Sequence, residues 1–186
     1  MRWDEIDLAA AWWTIPATKA KNKRAHRVPL SEPALAVLKR ARELNTSTAT
    51  AFPSPLGDGP MIENAMSRAV LRNRETFAVF VRSVTGSAVA VVERFTPHDL
   101  RRTGASQIAG MGIARLVVSK LLNHAEPGVT AVYDLHSYDA EKRQALELWG
   151  RRLLEFGLAE AIEGPRDANG DAGDAGSSNE SQRPAG

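Results

Sequence analysis

Four side chains able to act on a phosphate ester lie close together in this chain: His98, Arg101, His124 and Tyr133, within a span of 36 residues. Thr96-Pro97-His98-Asp99 reads as a helix start. Thr96 can cap, Pro97 suits the first helical position, and Asp99 can reach back to the cap amide. His98 and Arg101 are three residues apart and share a face of the first turns, where unpaired N–H groups favour an anion. A guanidinium can fork two donors onto a phosphate. The adjacent Arg102 points elsewhere, toward backbone phosphate or an internal acid. His124 closes the segment Leu121-Leu122-Asn123, and Tyr133 follows nine residues later, past Pro127-Gly128. Each feature also has an ordinary explanation: a capped helix with surface arginines, a histidine at a helix end, a core tyrosine with a satisfied hydroxyl. The combination of one guanidinium, two imidazoles and a phenol is what points to chemistry.

The elements that must position these groups follow from the pattern along the chain. Trp12–Ile15 suits a half-buried strand that Pro16 stops. A basic segment follows, with Lys19, Lys21, Lys23, Arg24 and Arg27, then Val28-Pro29-Leu30. Together they read as a β-hairpin with a cationic tip; a solvated charged loop is the plainer alternative. Ser31, Glu32 and Pro33 start a helix that runs to about Leu44, with Ala34, Leu35, Val37, Leu38, Ala41 and Leu44 as its apolar side. Residues 45–59 form a loop rich in proline and glycine. The spacing predicts a helix from Ile62 to about Arg74 with Ile62, Ala65, Met66, Ala69 and Val70 turned inward. Phe77–Phe95 is ambiguous: local propensity favours two strands split at Thr85-Gly86, and its setting among helices favours helix. Helices are expected over about Pro97–Ala109 and Ile113–Asn123, broken at Gly110 and Gly112. A short helix is expected over Val129–Leu135. A last one starts after Ser137, with Ala140, Leu146, Trp149, Leu153 and Phe156 as its stripe.

Composition narrows the function classes. At 186 residues the chain is about one domain long, and 43% of it is hydrophobic. No apolar run approaches the roughly 18 residues that a membrane span needs. MRWDEIDL has charges where a signal peptide is apolar, and there is no cysteine for a disulfide or thiolate metal site. The expected location is the cytoplasm. The formal charge is +2, and residues 164–186 hold two arginines against four acids, so the body is more basic than the whole. This is a weak pointer to nucleic acid. The tail, residues 164–186, has no large apolar residue and is expected to be disordered. The expected fold is mainly α with a small β-hairpin or sheet: hairpin 8–30, helical body 31–163, polar tail 164–186.

His98-Asp99-Leu100-Arg101, then Leu121-Leu122-Asn123-His124, then Val132-Tyr133 resembles the catalytic-domain signature of the tyrosine recombinases, the phage-type integrases. The order and spacings match, and Phe95-Thr96-Pro97 and Asp134–Tyr138 resemble the group carried by prophages and genomic islands. The likeness runs from Trp3 to about Leu153. It implies the DNA breaking-rejoining catalytic-domain fold and site-specific DNA recombination through a 3′-phosphotyrosine. Tyr133 would be the nucleophile. Arg101 would stabilise charge on the phosphorus, His98 would assist proton transfer and His124 would hydrogen-bond the scissile phosphate. A hairpin lysine would protonate the leaving oxygen; Lys21 has the family spacing, with Lys19 as the fallback. Arg102, Lys19, Lys23 and Arg24 are expected to contact DNA. The implied partners are double-stranded attachment-site DNA and other protomers, with no metal or other cofactor. Family members carry an earlier arginine on a helix before Trp3-Asp4-Glu5-Ile6-Asp7, and an N-terminal DNA-clamping domain. Neither is found in these residues, so a truncated or remnant integrase with little activity alone is expected. The competing class is a non-catalytic DNA binder in which Gly104–His124 forms a helix-turn-helix, although the apolar Ile113, Leu116, Val117, Val118 and Leu121 suit a recognition helix poorly. A metal site from His98, His124 and His136 lacks any close ligand pair.

Overall fold

The computed structural model describes residues 1–45, 49–54, 59–62, 64–89, 91–124, 136–157 and 162. A 3-10 turn, Trp3–Glu5, leads into an antiparallel sheet of β1 (Ile6–Asp7), β2 (Trp12–Ile15) and β3 (His26–Pro29), in that spatial order. Trp13 lies opposite both Ile6 and Val28, and Ile15 lies opposite His26. The expected hairpin is therefore present, and β1 extends it to three strands. The helices described are α1 (Glu32–Leu44), α2 (Ala65–Arg72), α3 (Arg74–Thr85), α4 (Pro97–Gly110), α5 (Arg115–Leu121) and α6 (Asp139–Glu155). None of them is long and apolar enough to cross a membrane. The expected helix over 129–135 and the tail over 164–186 lie outside the described residues.

Two apolar clusters form the interior. Leu30, Leu38 and Ala51 are buried under Trp3, Ile6, Leu8, Trp13 and Leu35, which sets α1 against the sheet. Ile108, Val117, Val118 and Ala145 are buried among Ala105, Met111, Ile113, Leu122, Leu146 and Trp149, which holds α4, α5 and α6 together. α6 joins the two, because it also packs on β3 and α1. At Gly150 an added Cβ would come within 3.0 Å of the Ser31 Cβ and 3.2 Å of the Pro33 Cδ. A hydrogen is thus the side chain that lets α6 lie on the start of α1 at this distance. Near the other end of α6, the Arg27 and Arg143 guanidinium carbons stand 4.2 and 4.7 Å from the centre of the Trp12 ring. Trp12 thereby ties the hairpin to α6 by cation–π contact.

The structure corrects the sequence expectations at several points. The helix expected over 62–74 is present as α2 but starts at Ala65 and ends at Arg72, and a separate helix, α3, begins after Asn73. Ile62 and Met66 are not inward; they are 64% and 53% exposed. Ile62 precedes α2, which packs mainly against α3 and has only Val70 fully covered. Leu44 is likewise exposed, because α1 ends beyond the edge of the sheet cluster. Ser31 is at the cap of α1, but its side chain makes no capping bond. Phe77–Phe95 divides: helix continues to Thr85, and Gly86 ends it at φ 68°, a left-handed conformation that glycine adopts without a Cβ penalty. The described residues after it, up to Thr96, are neither helix nor strand. The strand-forming valines lose to packing, since Ala78 is buried on the face that also carries Phe77 and Val81. In α6 the buried positions are Lys142, Ala145 and Gly150, while Ala140 and Phe156 are exposed.

Candidate functional site at the end of helix α5

Helix α4 begins as its sequence requires. The Thr96 hydroxyl oxygen accepts from the Asp99 amide at 3.3 Å, and an Asp99 carboxylate oxygen accepts from the Thr96 amide at 3.0 Å. This reciprocal cap satisfies two amides that have no partner within the helix. It holds the Asp99 carboxyl below its ordinary value, through the Thr96 hydroxyl first, then the Thr96 amide. His98 is exposed in this first turn, and Arg101 follows one turn on. Arg102 keeps a loose 3.9 Å contact with Asp99.

The end of α5 gathers the rest. Asn123 is left-handed, at φ 55°. Its amide donates to Lys120 O and the His124 amide donates to Ser119 O, both at 3.1 Å. This pair of bonds is the Schellman closure, with asparagine where glycine is commonest. The Leu122 amide donates to the Val118 carbonyl at 3.0 Å, and among the described residues no backbone amide reaches the carbonyls of Leu121 and Leu122. Side chains from two other elements supply them. His26 Nε2, from β3, lies 3.2 Å from Leu121 O. Arg101, from α4, donates to Leu122 O. A third link comes from the hairpin tip, where Asn22 Nδ2 donates to Asn123 Oδ1 at 2.8 Å.

One helix end thus brings together the start of α4, the hairpin and His124. Cations suit this place because it is the negative pole of α5. His26 is buried, and its imidazole is held below its ordinary value. Burial acts first; the Leu121 carbonyl opposes it, and the Lys142 and Arg101 charges add to it. A neutral imidazole with its proton on Nε2 fits the bond to Leu121.

Of the expected site residues, Arg101, His124 and the hairpin tip meet here, with His98 one turn from Arg101. Lys21, Lys23 and Arg24 are exposed on the tip, and among the described residues the Lys21 ammonium has no partner. Lys19 is occupied: it pairs with Glu5, whose side chain is 9% exposed and also accepts from the Trp13 indole at 3.3 Å. Tyr133 lies outside the described residues. His136 pairs with Glu141 at 2.9 Å, and among the described residues no cluster of His, Asp or Glu could hold a metal ion. In α5, Val117 and Val118 are buried, so that face is core rather than a groove-reading surface.

His26, Asn22 and Lys142 belong to this region and do not stand out in the sequence. Strand alternation could have found His26, since taking Val28 as inward puts His26 on the same face. Lys142 carried no such signal. It is buried, with its ammonium 2.8 Å from Asp139 and donating to Arg27 O at 3.1 Å.

The phage integrase family model matches residues 1–141. The chain belongs to the phage integrase family. It is 28% identical over 149 residues to the prophage integrase IntA of Escherichia coli K12, covering 80% of this chain and 32% of that protein. It is 27% identical over 172 residues to the putative protein IntB of the same organism, covering 83% of this chain and 39% of that one. It therefore spans about a third of the length of these curated relatives. No solved structure matches it. The mainly helical body with its small antiparallel sheet agrees with a phage integrase catalytic domain.

Proposed function

We propose that the end of α5 is part of a DNA strand-transfer site, in which the Tyr133 oxygen attacks a phosphodiester. A bond forms between the phenol oxygen and phosphorus, and the bond from phosphorus to the 5′ oxygen breaks. The product is a 3′-phosphotyrosine and a 5′-hydroxyl. Arg101 carries charge stabilisation: it spends one of its five N–H donors on Leu122 O and keeps the others for the non-bridging oxygens. His124 donates to the same phosphate, and His98 takes part in moving the phenol proton. Lys21 gives its proton to the leaving oxygen. Lys19, bound to Glu5, is poorly placed for that task. Lys23, Arg24 and Arg102 bind flanking phosphates. The observation that carries this reading is the convergence of Arg101, His124 and the hairpin tip on one helix end.

The substrate in this reading is a double-stranded attachment site, on which several protomers assemble and the overall outcome is site-specific recombination. Full rate in this reading takes a second guanidinium opposite Arg101, since one such donor is worth about 100- to 1,000-fold. The test is incubation with a nicked recombination substrate that traps the intermediate. A covalent protein–DNA adduct that Tyr133→Phe abolishes supports the reading. DNA binding with no adduct on any such substrate sinks it.

A further inference from the structure

We infer that Asn22 and His26 staple the hairpin tip to the end of α5 and act as positioning residues for Lys21. The task given to Lys21 rests on the strand-transfer reading; the staple itself rests on contacts alone. Ten residues, 16–25, separate β2 from β3, and a loop of that length would let a lysine at its tip wander over several ångströms. Two bonds oppose this from different places. Asn22, in the loop, bonds the Asn123 side chain at 2.8 Å. His26, the first residue of β3, meets Leu121 O at 3.2 Å. Asn22 also orders its own loop, since its Oδ1 accepts from the Arg24 amide at 3.1 Å. Lys21 precedes Asn22 directly, so its backbone is fixed against the same helix end that Arg101 and His124 occupy. A displacement of about 1 Å in a reacting group can cost on the order of 100-fold in rate, which gives such a staple something to protect.

The contacts also explain why asparagine, rather than glycine, takes the left-handed position at 123. Glycine would make the turn with less strain, but it has no side chain for Asn22 to hold. Asn123→Gly therefore separates the two roles, keeping the helix end and losing the link. For His26, glutamine can bring an amide nitrogen to the Leu121 carbonyl, whereas leucine fills the space without donating.

The experiment compares the full chain with Asn22→Ala, Asn123→Gly, His26→Gln and His26→Leu. Amide hydrogen exchange over residues 16–25 is measured first. Asn22→Ala, Asn123→Gly and His26→Leu should speed exchange at the tip by about tenfold. His26→Gln should stay near wild type, and residues 97–121 should keep their protection in every variant. Tip exchange as fast in wild type as in Asn22→Ala overturns the staple. Adduct formation is then timed on an ordinary nicked duplex and on one with sulfur in place of the leaving 5′ oxygen. A thiolate leaves without being protonated, so the staple variants and Lys21→Ala should be slow on oxygen and regain wild-type rate on sulfur. Arg101→Ala should stay slow on both. Staple variants equally slow on both substrates would show that the bonds serve Arg101 or the helix, and would overturn the positioning of Lys21. If wild type forms no adduct on either duplex, the strand-transfer reading fails while the exchange result still decides the staple.

Discussion

Arg101 holds a helix-end carbonyl with one nitrogen while facing solvent with the rest. Its replacement by alanine should lower adduct formation by about 100- to 1,000-fold, with DNA affinity changed far less, measured by single-turnover trapping beside a binding titration. His26 makes a prediction in pH. Its folded value lies below the ordinary 6.5, so the unfolded chain binds more protons as the pH falls past 6.5. Stability from the neutral imidazole is present above that value and is lost on going down through the folded one. Urea midpoints at about pH 7.5 and about pH 5 should diverge more for wild type than for His26→Gln. An equal drop in both would contradict the buried neutral imidazole. At this scale the sequence was legible where chemistry repeats a local pattern, as in Thr96-Pro97-His98-Asp99. His26 and Asn22 were harder to see because their partners lie 95 and 101 residues away.

Among the elements, α4 and the β2–β3 hairpin form where caps, prolines and alternation put them. The departure is at α2, where Ile62 and Met66 are exposed, and the open reading of 77–95 is decided by residues of high strand propensity that are helical to Thr85. A pattern of alternate apolar positions does not reveal which neighbour will cover them, and α2 has little beyond α3. The α1–α6 contact gives the test at this scale. Gly150→Ala should come out near neutral, since alanine gains about 1 kcal/mol of helix propensity over glycine against crowding at 3.0 Å from Ser31. Gly150→Leu gains no more in propensity and adds bulk that α1 must move to admit. It should destabilise by about 1–3 kcal/mol in thermal or urea unfolding. A leucine variant as stable as wild type would mean the two helices are not in contact.

For the whole molecule, the hairpin tip carries Lys21, Lys23 and Arg24 exposed beside the end of α5. If that surface meets a DNA backbone, affinity falls with salt. Removing Lys21, Lys23 and Arg24 together should reduce the slope of log K against log salt by about 0.9 for each phosphate no longer neutralised. An unchanged slope would move the DNA to another face. The fold class and the family resemblance were legible at this scale. The role of α6 was not, because a stripe of apolar residues does not announce that Lys142, Arg143 and Gly150 fasten it to three different elements.

That role bears on synthesis. α6 is the last described helix to leave the ribosome, yet the α4–α5 cluster needs it as a wall, and β3 and α1 pack on it as well. At ordinary elongation rates residue 155 emerges on the order of 10–30 s after the start. For most of that time the growing chain displays an unfinished apolar surface on α4 and α5, and β3 and α1 lack the helix that packs on them. A polypeptide stopped before Asp139 would be a client for chaperones and proteases, not a smaller working version of the protein.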